Sequence, residues 1–207
     1  MADQPSTAGV RVPLIAEEAA TGRTAELYAL AKSATGLPFV PDLFRLVSTT
    51  PELLHVLITG YTGVFGQGAL PRQTTELIAA WTSRLNQCGY CAGTHAWFFE
   101  LFGGSHDLAQ AVTSAKSPDE LPVDDRERAL LHLLTKVSTA AGSITDDEWN
   151  AVASLGWSTE EMLEAVFCAA LFNFVTRLVE ALGLGASAEH SRIATQPQPT
   201  TDLTTVR

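Results

Sequence analysis

Apolar residues recur along most of the chain at intervals of three and four, the spacing that places them on one face of an α-helix. Prolines and glycines fall between these periodic segments, and no run alternates strictly between apolar and polar residues. The pattern therefore predicts an all-α protein. The predicted helices cover residues 17–33, shorter segments from 41 and from 51, and then 71–85, 88–102, 124–140, 145–154 and 158–182.

Local signals mark where several of these helices begin and end. Pro51 fits the first turn of a helix, where its missing N–H removes no hydrogen bond. Gly103 and Gly104 supply a C-terminal stop for the fifth predicted helix. Residues 145–148 and 158–161 each have the Ser/Thr-x-x-Glu pattern of a capping box, which predicts the starts of the last two helices.

The length of 207 residues indicates one domain, because a chain of this size buries roughly 70% of its unfolded surface without disulfides or a structural metal. We expect that domain over residues 15–185, built from two helical halves that a proline-containing connection at 116–122 joins. Residues 1–14 are expected to be a flexible N-terminal segment. At the C-terminus, enrichment in Ala, Ser, Thr, Gln and Pro predicts a disordered tail over 186–207.

The charge balance argues against two classes of partner. Thirteen Lys and Arg stand against 23 Asp and Glu, so no basic face is large enough to neutralise a phosphate backbone or to bind an anionic membrane surface. The longest apolar run, 165–172, is far too short to span a bilayer. We therefore expect neither a nucleic acid nor a membrane as partner.

The N-terminus and the cysteines indicate the compartment. Residues 1–13 have neither the cationic start nor the apolar stretch of a signal peptide. Three cysteines is an odd number, and two of them stand three positions apart, which is not the pattern of a secreted disulfide framework. A cytoplasmic protein is expected.

The residues that carry chemistry are concentrated in the segment 88–95. If a helix begins near Cys88, then Cys88, Cys91 and His95 stand at positions i, i+3 and i+7 and project from one stripe. Two thiols then lie within bonding range, and an imidazole one turn beyond Cys91 can exchange a proton with it. The amides at the helix start and a protonated His95 would both favour a thiolate.

A larger thiolate population gives only a small gain in rate. A strongly lowered thiol pKa raises that population about 25-fold, but the accompanying loss of nucleophilicity returns about 8-fold of the gain. Delivery of a proton to a departing alkoxide is worth about 10²–10⁴. His95 is the predicted donor, and Glu76 is its predicted carboxylate partner. Since one continuous helix would separate Glu76 from Cys88 by about 18 Å, the chain has to turn near residues 86–87.

The combined pattern of Glu76, eleven residues, Cys88, two residues, Cys91, three residues and His95 resembles the signature of the alkylhydroperoxidase D and carboxymuconolactone decarboxylase superfamily. The flanking segments are similar to those of its peroxidase-related members, so the resemblance covers roughly residues 36–185. Those segments are 39–45, 51–54, 70–72 and 173–183.

The resemblance implies an alkylhydroperoxidase D-like helical bundle that assembles as a homotrimer or homohexamer. It also implies an oxidoreductase with peroxiredoxin activity, in which Cys91 attacks a hydroperoxide and Cys88 resolves the sulfenic acid into a Cys88–Cys91 disulfide. His95 and Glu76 would relay protons. A dithiol reductant, either a protein or a small molecule, would restore the thiols, and neither a cofactor nor a metal is expected.

Tyr90 is a departure from that pattern, because the founding reductases carry a histidine immediately before the second cysteine. A phenol cannot replace an imidazole as a base at neutral pH, so the peroxidase rate is expected to be modest and the reductant to differ. Tyr90, Trp97 and Phe98 are the candidate residues of a substrate pocket.

Other interpretations of the same residues stay open. Cys88, Cys91 and His95 could bind zinc with Glu76 or water as fourth ligand, or the two thiols could be merely structural. A non-redox enzyme of the same fold, such as a lactone decarboxylase or a biosynthetic tailoring enzyme, could use His95 and Glu76 as acid and base. A disulfide redox sensor or partner-binding protein is a further alternative.

Three positions outside this segment complete the predictions. Cys168 lies in an apolar run and is interpreted as an inert core residue. Asn173 and Arg177, one turn apart on the last predicted helix, fit either a contact with the site or an ion pair between subunits.

Overall fold

The computed structural model describes residues 9–184, and within that range it confirms an all-α fold without β-strands. Within that range, three short 3-10 helices lie at Glu17–Ala19, Pro118–Glu120 and Ala141–Ser143. The α-helices of the described residues are α1 Gly22–Thr35, α2 Asp42–Arg45, α3 Pro51–Phe65, α4 Arg72–Leu85, α5 Gly89–Leu101, α6 His106–Val112, α7 Asp125–Ala140, α8 Asp146–Ala153 and α9 Thr159–Leu182. The predictions for the tail at 186–207 and for the first eight positions of the N-terminal segment lie outside the described residues.

All eight predicted helices are present, although the first begins later than predicted, and both predicted capping boxes are formed. Thr145 and Glu148 satisfy each other's backbone amides at the start of α8. At the start of α9, the amide of Ser158 donates to the Glu161 carboxylate at 2.7 Å and the amide of Glu161 donates to Ser158 Oγ at 3.1 Å. These starts are set locally, which is why the sequence predicts them well.

Two helices differ from the predictions. The predicted helix 17–33 begins only at Gly22, because Ala20 and Thr21 are extended and interrupt it after a 3-10 turn. The helix α6 was not predicted. It has only seven residues, too few to show a periodic pattern, although Ser105 caps it by accepting a hydrogen bond from the amide of Leu108.

The described residues fall into two compact units, of which the first comprises 9–66 and 178–184. Its helices α1 and α3 pack together through buried side chains such as Leu27, Leu54 and Ile58. Gly183 has a φ of +78°, and a Cβ there would collide with the carbonyl oxygen of Gly9, so this position requires glycine.

The second unit comprises residues 67–177 and contains every residue of the predicted site. Its central elements are α4 and α5, which pack closely and bury Trp81 completely. The indole Nε1–H of Trp81 donates to Thr135 Oγ1 of α7 at 3.0 Å, so this large side chain is both packed and hydrogen-bonded. The apolar cluster around it consists of Leu77, Ala80, Ala96, Phe99, Leu108, Ala109, Val112, Ala115, Leu121 and Leu131.

The turn predicted at residues 86–87 joins α4 to α5. Gln87 has a φ of +60°, in the left-handed region that ends helices, and its amide donates to the carbonyl of Arg84 at 3.0 Å. The amide of Cys88 then donates to the carbonyl of Ser83 at 3.0 Å. This reversal lets a side chain near the start of α4 reach the middle of α5.

Among residues 9–184, α9 is the one helix long and apolar enough to cross a membrane, with a mean hydropathy of 1.7 in the window tested. Of that window, 44% is buried inside the fold. Met162, Ala165, Ala169 and Phe172 form its buried face at helical spacing. Because the core helix of a soluble protein has the same properties, length and composition are weak evidence for a membrane span here.

Candidate active site

The two thiols of the predicted site meet at the start of α5. Cys88 is the N-cap residue, and its sulfur lies 2.9 Å from the sulfur of Cys91. The amide of Cys91 points at the Cys88 sulfur at 3.4 Å, so an unsatisfied N–H of the helix start is directed at a thiol. Both cysteines are buried and unbridged. A disulfide bond measures about 2.0 Å, so its formation requires a sulfur displacement of less than about 1 Å.

His95 and Glu76 form the buried acid–base pair of the site. The imidazole Nδ1 of His95 lies 2.6 Å from Glu76 Oε2, with Glu76 fully buried and His95 6% exposed. Since Nδ1 is engaged by the carboxylate, proton exchange with a reacting group has to use Nε2. His95 stands one turn beyond Cys91 on α5, so the imidazole and that thiol share a face of the helix.

Arg72 extends this pair and was not predicted as a site residue. Its Nε and Nη2 each lie 2.6 Å from Glu76 Oε1, the carboxylate oxygen that does not contact His95. The guanidinium also lies over the ring of Phe102, 4.5 Å from the ring centre. The sequence contained a signal for this contact, because Arg72 and Glu76 are oppositely charged and four positions apart on one helix.

Aromatic rings surround the imidazole. Phe172 of α9 meets the His95 ring edge-on at 4.5 Å, and Phe98 lies 5.9 Å from it. Trp97 packs edge-on against Phe98 at 5.0 Å. Tyr90, which directly precedes Cys91 in the sequence, is buried. Of the three predicted pocket residues, Phe98 therefore contacts the imidazole ring and Trp97 contacts Phe98. The contact of Phe172 was not predicted, since nothing in its apolar segment marks it.

An amide network supports the turn that leads into Cys88. Asn86 Nδ2 donates to Asn173 Oδ1 at 2.9 Å, and Asn173 Nδ2 donates to the carbonyl of Ala169 at 2.9 Å and to Ser138 Oγ at 3.1 Å. Asn173 therefore contacts the turn beside the thiols. The guanidinium of Arg177 donates to Thr176 Oγ1 at 3.4 Å.

Cys168 is the third cysteine of the chain and lies in the middle of α9. Burial, and after it the charge of the nearby Glu76, raise the pKa of the Cys168 thiol well above its ordinary value. Its sulfur lies 3.6 Å from the carbonyl oxygen of Thr75. A protonated, buried thiol of this kind is a packing residue.

The geometry of the site does not form a metal centre within residues 9–184, where no group of three or more His, Cys, Asp or Glu side chains is arranged to hold an ion. Glu76 is directed at Arg72 and His95 instead. The arrangement can exchange protons at His95 and electrons at the thiol pair.

Part of the chain matches a known family model. Residues 51–117, which include the turn and both cysteines, match the model of the carboxymuconolactone decarboxylase family. None of the curated proteins matches the chain.

Solved structures show the same fold at low sequence identity. An uncharacterized peroxidase-related protein from Silicibacter sp. TM1040 is 20% identical with a TM-score of 0.75, and 92% of this chain and 97% of that chain are covered. A peroxidase-related protein from Ralstonia eutropha JMP134, described as an alkylhydroperoxidase AhpD core, is 20% identical with a TM-score of 0.78, covering 91% and 98%.

A third similar structure is the debrominase Bmp8, in a cysteine-to-alanine variant bound to 2,3,4-tribromopyrrole. It is 17% identical with a TM-score of 0.67, covering 93% of this chain and 98% of that chain. Together, the comparisons give a match to the carboxymuconolactone decarboxylase family over the segment that carries the thiols, and an all-α fold shared with alkylhydroperoxidase AhpD-core and peroxidase-related structures.

Proposed function

We propose that the protein is a thiol-dependent peroxidase that reduces hydroperoxides through a Cys88–Cys91 dithiol/disulfide cycle, with His95 and Glu76 as proton relay. The observation that carries the proposal is the 2.9 Å separation of two unbridged sulfurs on the helix that also presents the Glu76-bound imidazole. Acid–base chemistry alone needs no second thiol. The pairing of a dithiol with a proton relay favours a redox reaction.

Cys91 is the proposed attacking residue because it lies one turn from His95, whereas Cys88 lies about two turns away at the helix cap. Its thiolate attacks the outer oxygen of the hydroperoxide, so that an S–O bond forms as the O–O bond breaks. Sulfur is oxidised to a sulfenic acid. The departing alkoxide takes a proton from His95 Nε2 and leaves as an alcohol.

Cys88 then closes the cycle. Its thiolate attacks the sulfenic sulfur of Cys91, hydroxide leaves and takes up a proton as water, and the Cys88–Cys91 disulfide forms. A dithiol reductant, a protein or a small molecule, reduces this disulfide by exchange and is itself oxidised to a disulfide. The short distance between the sulfurs supports this step, because the chain does not have to rearrange.

The proposed substrate is a hydroperoxide that fits among aromatic side chains. Phe98 and Phe172 flank the imidazole, and Trp97 packs against Phe98. Together with Tyr90 they form the proposed pocket lining, which suits an organic hydroperoxide with an apolar body better than hydrogen peroxide.

A second candidate function is reductive dehalogenation of an aromatic ring. The fold shared with the debrominase Bmp8 favours it, as do the aromatic rings at the site. In that reaction the two thiols would supply two electrons and two protons, so that a carbon–bromine bond is replaced by carbon–hydrogen with release of bromide and formation of the same disulfide.

Thiol counting with a turnover assay tests the proposal. One equivalent of an organic hydroperoxide should consume two of the three thiols, and added dithiol should support repeated conversion to alcohol. Cys168→Ser is the matched control and should keep both results. Loss of two thiols without turnover would indicate a redox sensor, and no loss at all would indicate a non-redox enzyme. Bromide release from a bromopyrrole, without peroxide turnover, would support dehalogenation instead.

We also propose that the protein is a cytoplasmic homotrimer or homohexamer, with residues 15–185 as its domain. Leu163, Phe167 and Phe174 are 65%, 54% and 47% exposed and share one face of α9, which supports an interface between subunits. The three unbridged cysteines support a reducing compartment. Light scattering should give a trimer or hexamer mass for the parent and a smaller mass for Phe167→Glu. A monomeric parent would contradict the assembly.

A further inference from the structure

The two oxygens of the buried Glu76 carboxylate contact two different side chains, Arg72 and His95. Oε1 accepts hydrogen bonds from Arg72, and Oε2 contacts Nδ1 of His95, all at 2.6 Å. Glu76 is fully buried, and a buried carboxylate ion is stable only when a positive charge and hydrogen bonds compensate its lost hydration. Whether the His95 imidazole is protonated therefore depends on which side chain supplies the positive charge beside Glu76.

The net charge of Arg72, Glu76 and His95 indicates what Arg72 does in the site. With Arg72 present, the charges of Arg72 and Glu76 cancel, and the three side chains are neutral overall when His95 is a neutral imidazole. An imidazolium at His95 can therefore give up its extra proton without leaving the Glu76 carboxylate uncompensated. Without Arg72, the carboxylate would need a proton of its own or an imidazolium beside it. The Glu76–His95 pair would then retain a proton in the state in which His95 has to accept one from Cys91.

The other groups facing this pair do not supply the charge. On α5, Cys91 shares a face with His95 and is neutral or negative. On α9, Cys168 lies near Glu76 as a protonated thiol, and Phe172 covers the ring of His95. Within residues 9–184, Glu76 pairs with Arg72 and His95, and of these two only the guanidinium of Arg72 carries a permanent positive charge.

We propose that Arg72 is a positioning residue of the relay, whose fixed charge and paired hydrogen bonds keep Glu76 ionised and aimed so that His95 can cycle between its neutral and protonated forms. This inference deepens the proposed function and rests on it for its catalytic meaning. The Phe102 ring under the guanidinium holds the planar group in place. A lysine would retain the charge without the paired hydrogen bonds or the stacking.

The protonation of the His95 ring in the reduced protein tests this inference without any peroxide. Ring ¹⁵N shifts are followed against pH in the parent, in Arg72→Gln and in Arg72→Lys. Removal of a cation at this distance should keep both ring nitrogens protonated to a pH at least about one unit higher in Arg72→Gln. Arg72→Lys should titrate close to the parent.

The matched control is Arg84→Gln, because Arg84 lies on the same helix and donates to the carbonyl of Ser114 at 3.3 Å, outside the site. That variant should titrate like the parent. Peroxide turnover is measured separately on the same samples, and in Arg72→Gln it should fall about tenfold at neutral pH and recover as the pH rises.

The outcomes separate the two claims. An unchanged His95 titration in folded Arg72→Gln would overturn the role of Arg72, whatever the turnover shows. A shifted His95 titration in Arg72→Gln, combined with no peroxide turnover in the parent, would support the role of Arg72 and refute the proposed function. If Arg72→Gln does not fold, Arg72→Lys decides, because a shift of its titration to higher pH by a full unit would show that charge is not the property that matters.

Discussion

The start of α5 and the middle of α9 both contain buried, unbridged cysteines, yet their surroundings differ in kind. At the start of α5, the Cys88 sulfur accepts a hydrogen bond from the amide of Cys91 and lies 2.9 Å from the Cys91 sulfur. Cys91 in turn lies one helical turn from the imidazole of His95. In α9, Cys168 lies in the middle of a helix with a carbonyl oxygen at 3.6 Å, and burial together with the charge of Glu76 raises the pKa of its thiol. Burial is shared, so the position at a helix start and an imidazole one turn away on the same helix are the features that distinguish the proposed reactive thiols from Cys168.

The largest expected effect is that of replacing Cys91, the proposed attacking thiol. Cys91→Ser should abolish peroxide consumption, because a serine hydroxyl is not ionised at neutral pH and cannot be oxidised in the same way. Cys168→Ser should stay within about twofold of the parent in the same assay, since a packing thiol tolerates a small substitution. Equal losses in both variants would erase the distinction between the two regions.

Replacing Cys88 should separate the first reaction from the second. Cys88→Ser should react once with a hydroperoxide and accumulate a sulfenic acid at Cys91, which a dimedone-type reagent traps. Repeated turnover with dithiol should be lost or strongly slowed. Full multi-turnover activity in this variant would show that Cys88 does not resolve the intermediate.

The proton relay should have the next largest effect. His95→Ala should lower the peroxide-dependent rate by about 10²–10⁴, because the departing alkoxide loses its proton donor. Glu76→Gln should lose less, since the imidazole remains. A loss below about threefold in His95→Ala, measured with folded protein, is what a change in thiolate population alone would give and would refute the proton-delivery role.

Thiol labelling sharpens the contrast at Cys168 itself. Because burial raises its pKa, the folded state binds the thiol proton more strongly than the unfolded state does. The stability from this proton is complete at neutral pH and is lost only as the pH rises above the range of ordinary thiols. Iodoacetamide at pH 8 should therefore label Cys168 at least about a hundredfold more slowly in folded than in unfolded protein. Comparable rates would place this thiol outside the core.

The smallest expected effect is a change in thermal stability at the start of α8, where the cap is a carboxylate and not a thiol. At α8, Lys136 and then the amide of Thr145 lower the pKa of Glu148 to about 2. The stabilisation is therefore complete above the ordinary glutamate range and disappears as the pH falls towards 2. Glu148→Gln should melt slightly below the parent at pH 7, with the gap closing at low pH, whereas Asp147→Asn should show no such trend. A gap independent of pH would contradict the ion pair.

The sequence predicts what is local and leaves out what the tertiary structure brings together. The stripe of Cys88, Cys91 and His95 follows from spacing on one helix, and the proximity of Glu76 follows once the chain turns at 86–87. The bond between Asn86 and Asn173 joins residues 87 positions apart, and no local pattern encodes it. The ring contact of Phe172 with His95 depends in the same way on how α9 packs.

Arg72 shows a different limit of prediction. Its pairing with Glu76 follows the ordinary rule for opposite charges four positions apart, but such pairs are usually solvated and contribute little. Only the complete burial of Glu76 gives this pair a functional meaning, and burial is a property of the whole unit.

The most direct test of the central claim is disulfide mapping after a single oxidation. The reduced protein is treated with one equivalent of an organic hydroperoxide, alkylated under denaturing conditions, digested and analysed by mass spectrometry, with the alcohol product quantified in parallel. We predict one internal bond between Cys88 and Cys91, unmodified Cys168 and one equivalent of alcohol. Intact thiols at Cys88 and Cys91, or a bond that includes Cys168, would contradict the account.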